Sequence, residues 1–433
     1  MRDLLLVIFL FVAIYYSFKK PYIGVAAWIW IALMAPANWA FGFSNSLRLN
    51  LTIVVVVVFS YIFSKKKEKM QWTTIHFWVF LFLFWMLIST IFNIRIDSDY
   101  AWFKLTEFTK IIALFFFITL TVRSKKAINT VVWAIVLAIS AYAAMEATKF
   151  ILSAGSYRVV GKAGIIADRN DLAVAINMCL PLIFYLWSVT KHHQLKLGLI
   201  ILGVLNVVAI VGTYSRGGFI GLTILAIAMW LKSNRKFLIF MAAIIILPSL
   251  YTAAPTEWKE RQATVETAST TDGSFIGRLW AWKIATLIAI DNPLTGGGFK
   301  ATTDPLLWHM YAPVTPNFGF VETPPIPLTK TPKAAHNIYF QVLASSGFIG
   351  FFIFMYMLSV SYLSCSKNIK RAKKYNQKWQ ENLSRSISLS LVAYGITGLN
   401  VSLAYFELVY ALIAIVSVLS ANQYLVSSNE KIN

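Results

Sequence analysis

The sequence predicts an all-α polytopic membrane protein, and three observations carry that prediction. Apolar side chains make up 58% of the 433 residues and charged ones only 13%, with a mean hydropathy of +0.66, a balance that no ordinary soluble domain has. The apolar residues fall in runs long enough, or nearly so, to cross a hydrocarbon core. Lys and Arg stand in short clusters between those runs. The formal charge of +21 is therefore that of cytoplasmic loops and not of a nucleic-acid surface, for which no basic arm or aromatic platform is visible.

In chain order the runs cover 4–18, 21–36, 49–63, 73–92, 107–122, 128–150, 169–189, 197–214, 217–231, 237–253, 337–360, 386–404 and 406–425, which predicts twelve or thirteen transmembrane helices. The first two are short, and the eighth and ninth stay separate only if the chain breaks at Arg216. The opening stretch MRDLLLVIFLFVAIYYSFKK has no small-residue cleavage site and reads as a retained first span. Basic clusters at 19–20, 65–69, 123–126, 191–196, 231–236 and 367–385 are separated by alternate spans. They hold 21 of the 39 Lys and Arg, so the positive-inside rule assigns them to the cytoplasm. The loops at 37–48, 93–106, 151–168 and 254–335 then lie outside, together with Arg216.

Three parts follow: a helix bundle over 1–253, a large outer insertion over 254–335 and C-terminal spans over 336–433. The insertion holds nine of the thirteen prolines, yet two of its stretches carry helical periodicity, EWKERQATVETA and GRLWAWKIATLIAI. The second is amphipathic enough to lie on a membrane surface. Seven basic and seven acidic residues cancel across the insertion, which excludes a simple polyanion trap. The glycines of TGGGFK at 295–300 lack the spacing of a phosphate loop and read as a helix end and a turn. No internal repeat supports a duplicated transporter. Cys179 and Cys365 sit in different apolar stretches and argue for neither a disulfide framework nor a zinc site.

Arg216, in VGTYSRGGFIGLT, is the first candidate for chemistry. An arginine at membrane depth costs roughly 2.5 to 3.5 kcal/mol on insertion scales, and on the outer side no positive-inside preference accounts for it. Its guanidinium suits a phosphate gripped by two hydrogen bonds. The packing alternative is that Gly217 and Gly221 form a small-xxx-small face while Arg216 reaches for headgroups. His336 stands where the insertion re-enters the membrane, at the predicted start of a helix whose positive end disfavours imidazolium; it is either a packed histidine or a neutral base for a hydroxyl. Arg278 is an interfacial arginine beside Trp280 and Trp282, or a phosphate ligand. In the loop SYRVVGKAGIIADRNDLA, Arg158 and Lys162 read as a solvated face, and Arg169 stands at the start of a span. No H-E-x-x-H is present, so no metal or other cofactor is expected, and a leaving phosphate would rely on arginines.

The SRGG arginine ending one span, GRLWAWKIA and NPLTGGGF in the outer insertion and AHN opening the next helix together resemble the O-antigen ligase superfamily. That superfamily includes lipopolysaccharide ligases, O-antigen polymerases and bacterial protein O-oligosaccharyltransferases. The stretch from MRDLLLVIFLF to GVAAWIWIALMAPANWAFGF resembles the N-terminal region of a subgroup of O-glycosylation ligases. The resemblance implies a GT-C-like glycosyltransferase of the bacterial inner membrane that takes a glycan from undecaprenyl pyrophosphate on the periplasmic face. It implies Arg216 as the pyrophosphate ligand and His336 as the base, with Arg278 and Arg169 as further phosphate ligands. The acceptor it implies is lipid A core, with a protein hydroxyl or another glycan as alternatives. Outside enzymes, a lipid-linked glycan transporter is the competing expectation.

Overall fold

The computed structural model describes residues 2–39, 42–65, 67, 69–162, 164–231, 273–327 and 329–421. Among these are fourteen α-helices and no strand. They are α1 (Arg2–Lys19), α2 (Pro21–Met34), α3 (Leu49–Ile62), α4 (Thr74–Ile91), α5 (Ser98–Thr121), α6 (Lys125–Leu152), α7 (Arg169–Val189), α8 (His193–Gly212), α9 (Arg216–Leu231), α10 (Gly273–Asp291), α11 (Pro305–Tyr311), α12 (Ile338–Lys374), α13 (Lys378–Thr397) and α14 (Glu407–Ser420). The span expected over 237–253, the helix expected over 257–268 and the end of the run 406–425 lie outside the described residues.

The chain is an all-α polytopic membrane protein. Five helices, α4, α6, α7, α8 and α12, are long and apolar enough to cross a bilayer, while α2, α3, α9 and α14 are apolar but shorter. Fourteen residues rise about 21 Å, short of a hydrocarbon core of about 30 Å. Three elements differ from the hydropathy pattern because charged residues can continue a helix; one of them, α13, begins at Lys378 and not at 386, and it ends at Thr397, short of 404. Helix α5 begins at Ser98 and not near 107, because Asp97 caps it by accepting from Tyr100 N at 3.0 Å. Helix α12 runs on to Lys374 instead of ending near 360. Its last turns are basic, and the Arg371 guanidinium donates to the Leu419 and Ser420 carbonyls at the end of α14, where a cation complements the helix dipole.

The loops sort to two ends. At one end Arg123 donates to Lys69 O, Asn382 to Ser188 Oγ, and the Lys125 ammonium stands over the Trp379 ring. The basic clusters at 65–69, 123–126 and 367–385 are therefore neighbours. At the other end Ser44 donates to Asp3, Tyr142 Oη to Val160 O, Arg95 to the Phe299 and Lys300 carbonyls, and His336 N to Ser402 Oγ. One apolar core runs through α1 to α8 and α12 to α14. A smaller one joins α10, α11 and Ala344 of α12.

That smaller core changes the reading of α10. Ile276, Trp280, Ala281, Ile284 and Ile288 are buried, so its apolar face is taken up by protein and not by a membrane surface. Lys283, also buried, donates to Thr315 O at 2.8 Å and ties down the chain after α11. Beyond α10 the glycines turn the chain as expected. Gly297 N and Gly298 N donate to the Ala344 and Ser345 carbonyls, and Phe348 N donates to Pro293 O. This is possible because α12 is broken at Gly347, whose φ of 65° is left-handed and suits glycine.

Candidate active site

The start of α9 is built from its own polar residues. Ser215 Oγ accepts from Gly218 N at 3.1 Å, which caps the helix, and donates to Asn170 Oδ1 at 2.7 Å. Tyr214 has a φ of 54° and is held there by a bond from its hydroxyl to Gly155 O. The break between α8 and α9 is thus specified, and it leaves Arg216 as the first, half-buried residue of α9. The glycines that follow serve the packing role. A Cβ on Gly217 would lie 2.6 Å from Asn400 Nδ2, on Gly218 2.6 Å from Ala173 Cβ and on Gly221 2.1 Å from Thr397 Cγ2. Without side chains at these positions α9 lies directly against α7 and α13.

Asp168 caps α7 by accepting from Asn170 N at 2.7 Å, and Arg169 is the first residue of that helix. Arg169 is half-buried, one residue before the asparagine that binds Ser215. Arg278, on α10, donates through Nη1 to Asn400 Oδ1 at 2.9 Å, the same asparagine that packs on Gly217. Trp280 and Trp282 do not serve as headgroup anchors: their indole N–H groups donate to Pro324 O and Ala335 O, and Trp282 stacks on Phe340 at 5.2 Å.

That bond to Ala335 O fixes the residue before His336. His336 has a φ of 43°, its N–H donates to Ser402 Oγ at 3.0 Å, and Asn337 caps α12 by accepting from Tyr339 N and Phe340 N. Burial is the first cause that lowers the His336 pKa from its ordinary 6.5, and the Arg278 charge is the second. Lys333 acts in the same direction and Asp168 against it. The expected neutral imidazole thus follows mainly from desolvation and a neighbouring arginine, where the sequence argument invoked the helix dipole.

The four residues singled out in the sequence therefore belong to one neighbourhood, joined through Asn170, Ser215 and Asn400. Three helix starts, those of α7, α9 and α12, meet there. Residues 197–355 match the family model described as O-antigen ligase. This match supports membership of the O-antigen ligase superfamily. That match contains Arg216, Arg278 and His336, whereas residues 1–191, with Arg169, match a family of unknown function (DUF5935). No curated protein matches the chain. The O-antigen ligase match supports a membrane protein of a glycosyltransferase-like family, of ligase or polymerase type.

Next to His336 lies a cavity of about 890 Å³. Its wall runs from residues 35–38 and 47–51 across α5 to the start of α14 and includes Ala334, Ala335 and Ser402. Sequence reasoning missed most of this wall, and it missed Asn400 and Ser402, because these residues carry no motif and acquire neighbours only through packing. The expectation that the outer loops hold no D-x-D spacing is corrected by Asp97 and Asp99, which also lie at this end, where Asp97 serves as the α5 cap.

Proposed function

We propose that the chain is a periplasm-facing glycosyltransferase of the inner membrane that moves a glycan from undecaprenyl pyrophosphate to an acceptor hydroxyl, with lipid A core as the leading acceptor. The observation that carries the reading is the meeting of three helix starts with Arg216, Arg278 and Arg169 around His336. Helix N-termini carry the positive end of the dipole, and guanidinium groups grip phosphate oxygens in pairs. Together they form a seat for a pyrophosphate at the end where the non-basic loops collect. By positive-inside logic that end is the periplasmic one.

In the proposed reaction His336 takes the proton of the acceptor hydroxyl as its oxygen attacks the anomeric carbon of the glycan. The bond from that carbon to the pyrophosphate oxygen breaks, and the leaving pyrophosphate keeps the electron pair. Arg216 and Arg278 stabilise the charge that develops there, an electrostatic contribution that is large in a site shielded from water. Lowering the His336 pKa keeps the imidazole unprotonated and ready to accept.

The test is glycan transfer in membranes supplied with undecaprenyl-pyrophosphate glycan, comparing wild type with His336→Ala and probing both lipid A core and protein for product. Loss of transfer by about 100-fold or more at normal expression is expected of a lost general base, and the wild-type product names the acceptor. Undiminished transfer by the variant removes His336 as the base. Wild-type protein that moves the lipid across the bilayer without making a glycoconjugate establishes a transporter instead.

A further inference from the structure

Resting on the glycosyl-transfer reading, we infer that the cavity beside His336 seats an acidic saccharide, which supplies the acceptor hydroxyl, and that Glu407 is its specificity-determining residue. The cavity abuts the His336 segment through Ala334, Ala335 and Ser402, whereas Arg216 and Arg278 are not on its wall. A molecule in it therefore approaches the base without occupying the phosphate seat.

The wall sets polar groups among apolar surface, as a sugar requires. Asn38, Asn50 and Gln341 present amide groups among the rings of Phe299 and Tyr405, a pairing that serves hydroxyl groups and the apolar faces of sugar rings alike. At about 890 Å³ the space lies in the upper part of the range for ligand pockets, roughly 300–1,000 Å³, with room for more than one ring.

Glu407, on the same wall, supplies the strongest demand for a donor. Its Oε2 is buried and has no hydrogen-bond partner among the described residues. A carboxylate oxygen buried in that way is costly, and a ligand hydroxyl donating to it removes the cost. Of the other two acids on the wall, Glu107 is paired with Lys110 at 2.6 Å, and Asp171 stands in the first turn of α7.

The rim carries the opposite charge. Arg48 and Lys300 are exposed there, with Lys104 half-buried, and the ammonium groups of Lys104 and Lys300 stand 5.4 and 5.9 Å from the Tyr100 ring. With the Arg95 guanidinium 5.2 Å from the same ring, three cations hold a local positive field that an acid group on the saccharide neutralises. The occupant is thus a sugar bearing a phosphate or a carboxylate, its hydroxyl groups inside and its charge at the mouth.

The experiment measures binding by the full-length protein in detergent micelles, so it does not depend on turnover. The probe is the phosphorylated core oligosaccharide released from rough-form lipopolysaccharide, with its phosphatase-treated form as the neutral comparison. Glu407→Gln, which changes the shape of the side chain little, and Lys104→Gln/Lys300→Gln, at the rim, should each weaken binding of the phosphorylated probe about tenfold. Phosphatase treatment should weaken binding to wild type by a similar factor and to the lysine variant hardly at all. No binding by wild type, equal binding of the two probes, or full affinity in Glu407→Gln would each overturn the inference. Wild-type protein that binds as expected yet transfers no glycan would overturn the glycosyl-transfer reading and leave the saccharide seat standing.

Discussion

Replacing Gly221 with Ala sets a methyl group 2.1 Å from Thr397 Cγ2, far inside van der Waals contact. Thr397 cannot easily swing away. It is fully buried, and its Oγ1 is bonded to Ala393 O at 2.6 Å. Asn177 stands 3.5 Å from the same point, so the new methyl has no free side to turn to and α9 has to retreat from α13. Overpacking of this kind costs about 1–3 kcal/mol. The loss should be read by reversible unfolding in mixed micelles, with helicity followed as denaturing detergent is added. Thr397→Ser removes the Cγ2 methyl and keeps the hydroxyl, and alone it should cost about 0.8 kcal/mol. In the double variant the methyl added by Gly221→Ala occupies the vacated space, so the two losses should fall short of adding by about 1 kcal/mol or more. Full stability in Gly221→Ala, or strictly additive losses in the pair, would refute the packing argument.

Arg216→Lys retains the charge and loses the paired geometry, so glycan transfer should fall at least about tenfold; normal transfer would count against a bidentate phosphate contact. The lowered His336 pKa means that the base is neutral above its pKa and is lost as pH falls through it. Transfer should therefore persist down to pH 6.5, the ordinary histidine value, and decline only in more acid buffer. Arg278→Gln removes one cause of the lowering, so residual activity should show its acid limb at higher pH than wild type. Asp304 is fully buried, caps α11 and lies 3.7 Å from the Arg95 guanidinium. Asp304→Ala should cost about 3–5 kcal/mol by leaving that charge without its carboxylate, again by unfolding in micelles.

Hydropathy was a sound guide wherever a helix is apolar from end to end. The expected run 169–189 coincides with α7, and 49–63 and 73–92 differ from α3 and α4 by a residue or two. It failed where a helix leaves the apolar layer, since Lys367 to Lys374 and Ser98 to Thr106 read as loop while their backbones remain helical. The grouping of Arg169, Arg216, Arg278 and His336 was suggested by motif order, but what joins them was not readable. Asn400 lies far along the chain from both of its neighbours, and an asparagine after a helix carries no signal until Gly217 and Arg278 are packed against it. Glu407 was hidden for the same reason. A carboxylate opening an apolar helix is an ordinary first-turn residue until a cavity forms beside it.

The break in α12 divides this helix mechanically. At about 1.5 Å per residue, its 37 residues make a rod of about 55 Å with the histidine just ahead of one tip and the basic turns at the other. Beyond Gly347 the rod is gripped by α4 and α14. Before it, the short leading piece is fastened by Gly297 and Gly298 to the turn after α10. The same piece is held by α4 as well, whose Ser89 Oγ donates to the Ser345 carbonyl and whose Trp85 indole donates to the Ser346 carbonyl, and by α13, whose Gly395 carbonyl accepts from the Tyr339 hydroxyl. The segment that His336 opens and the helix that carries Arg278 are thus stitched together at one turn, so that spacing is set where the helix breaks and not along its length.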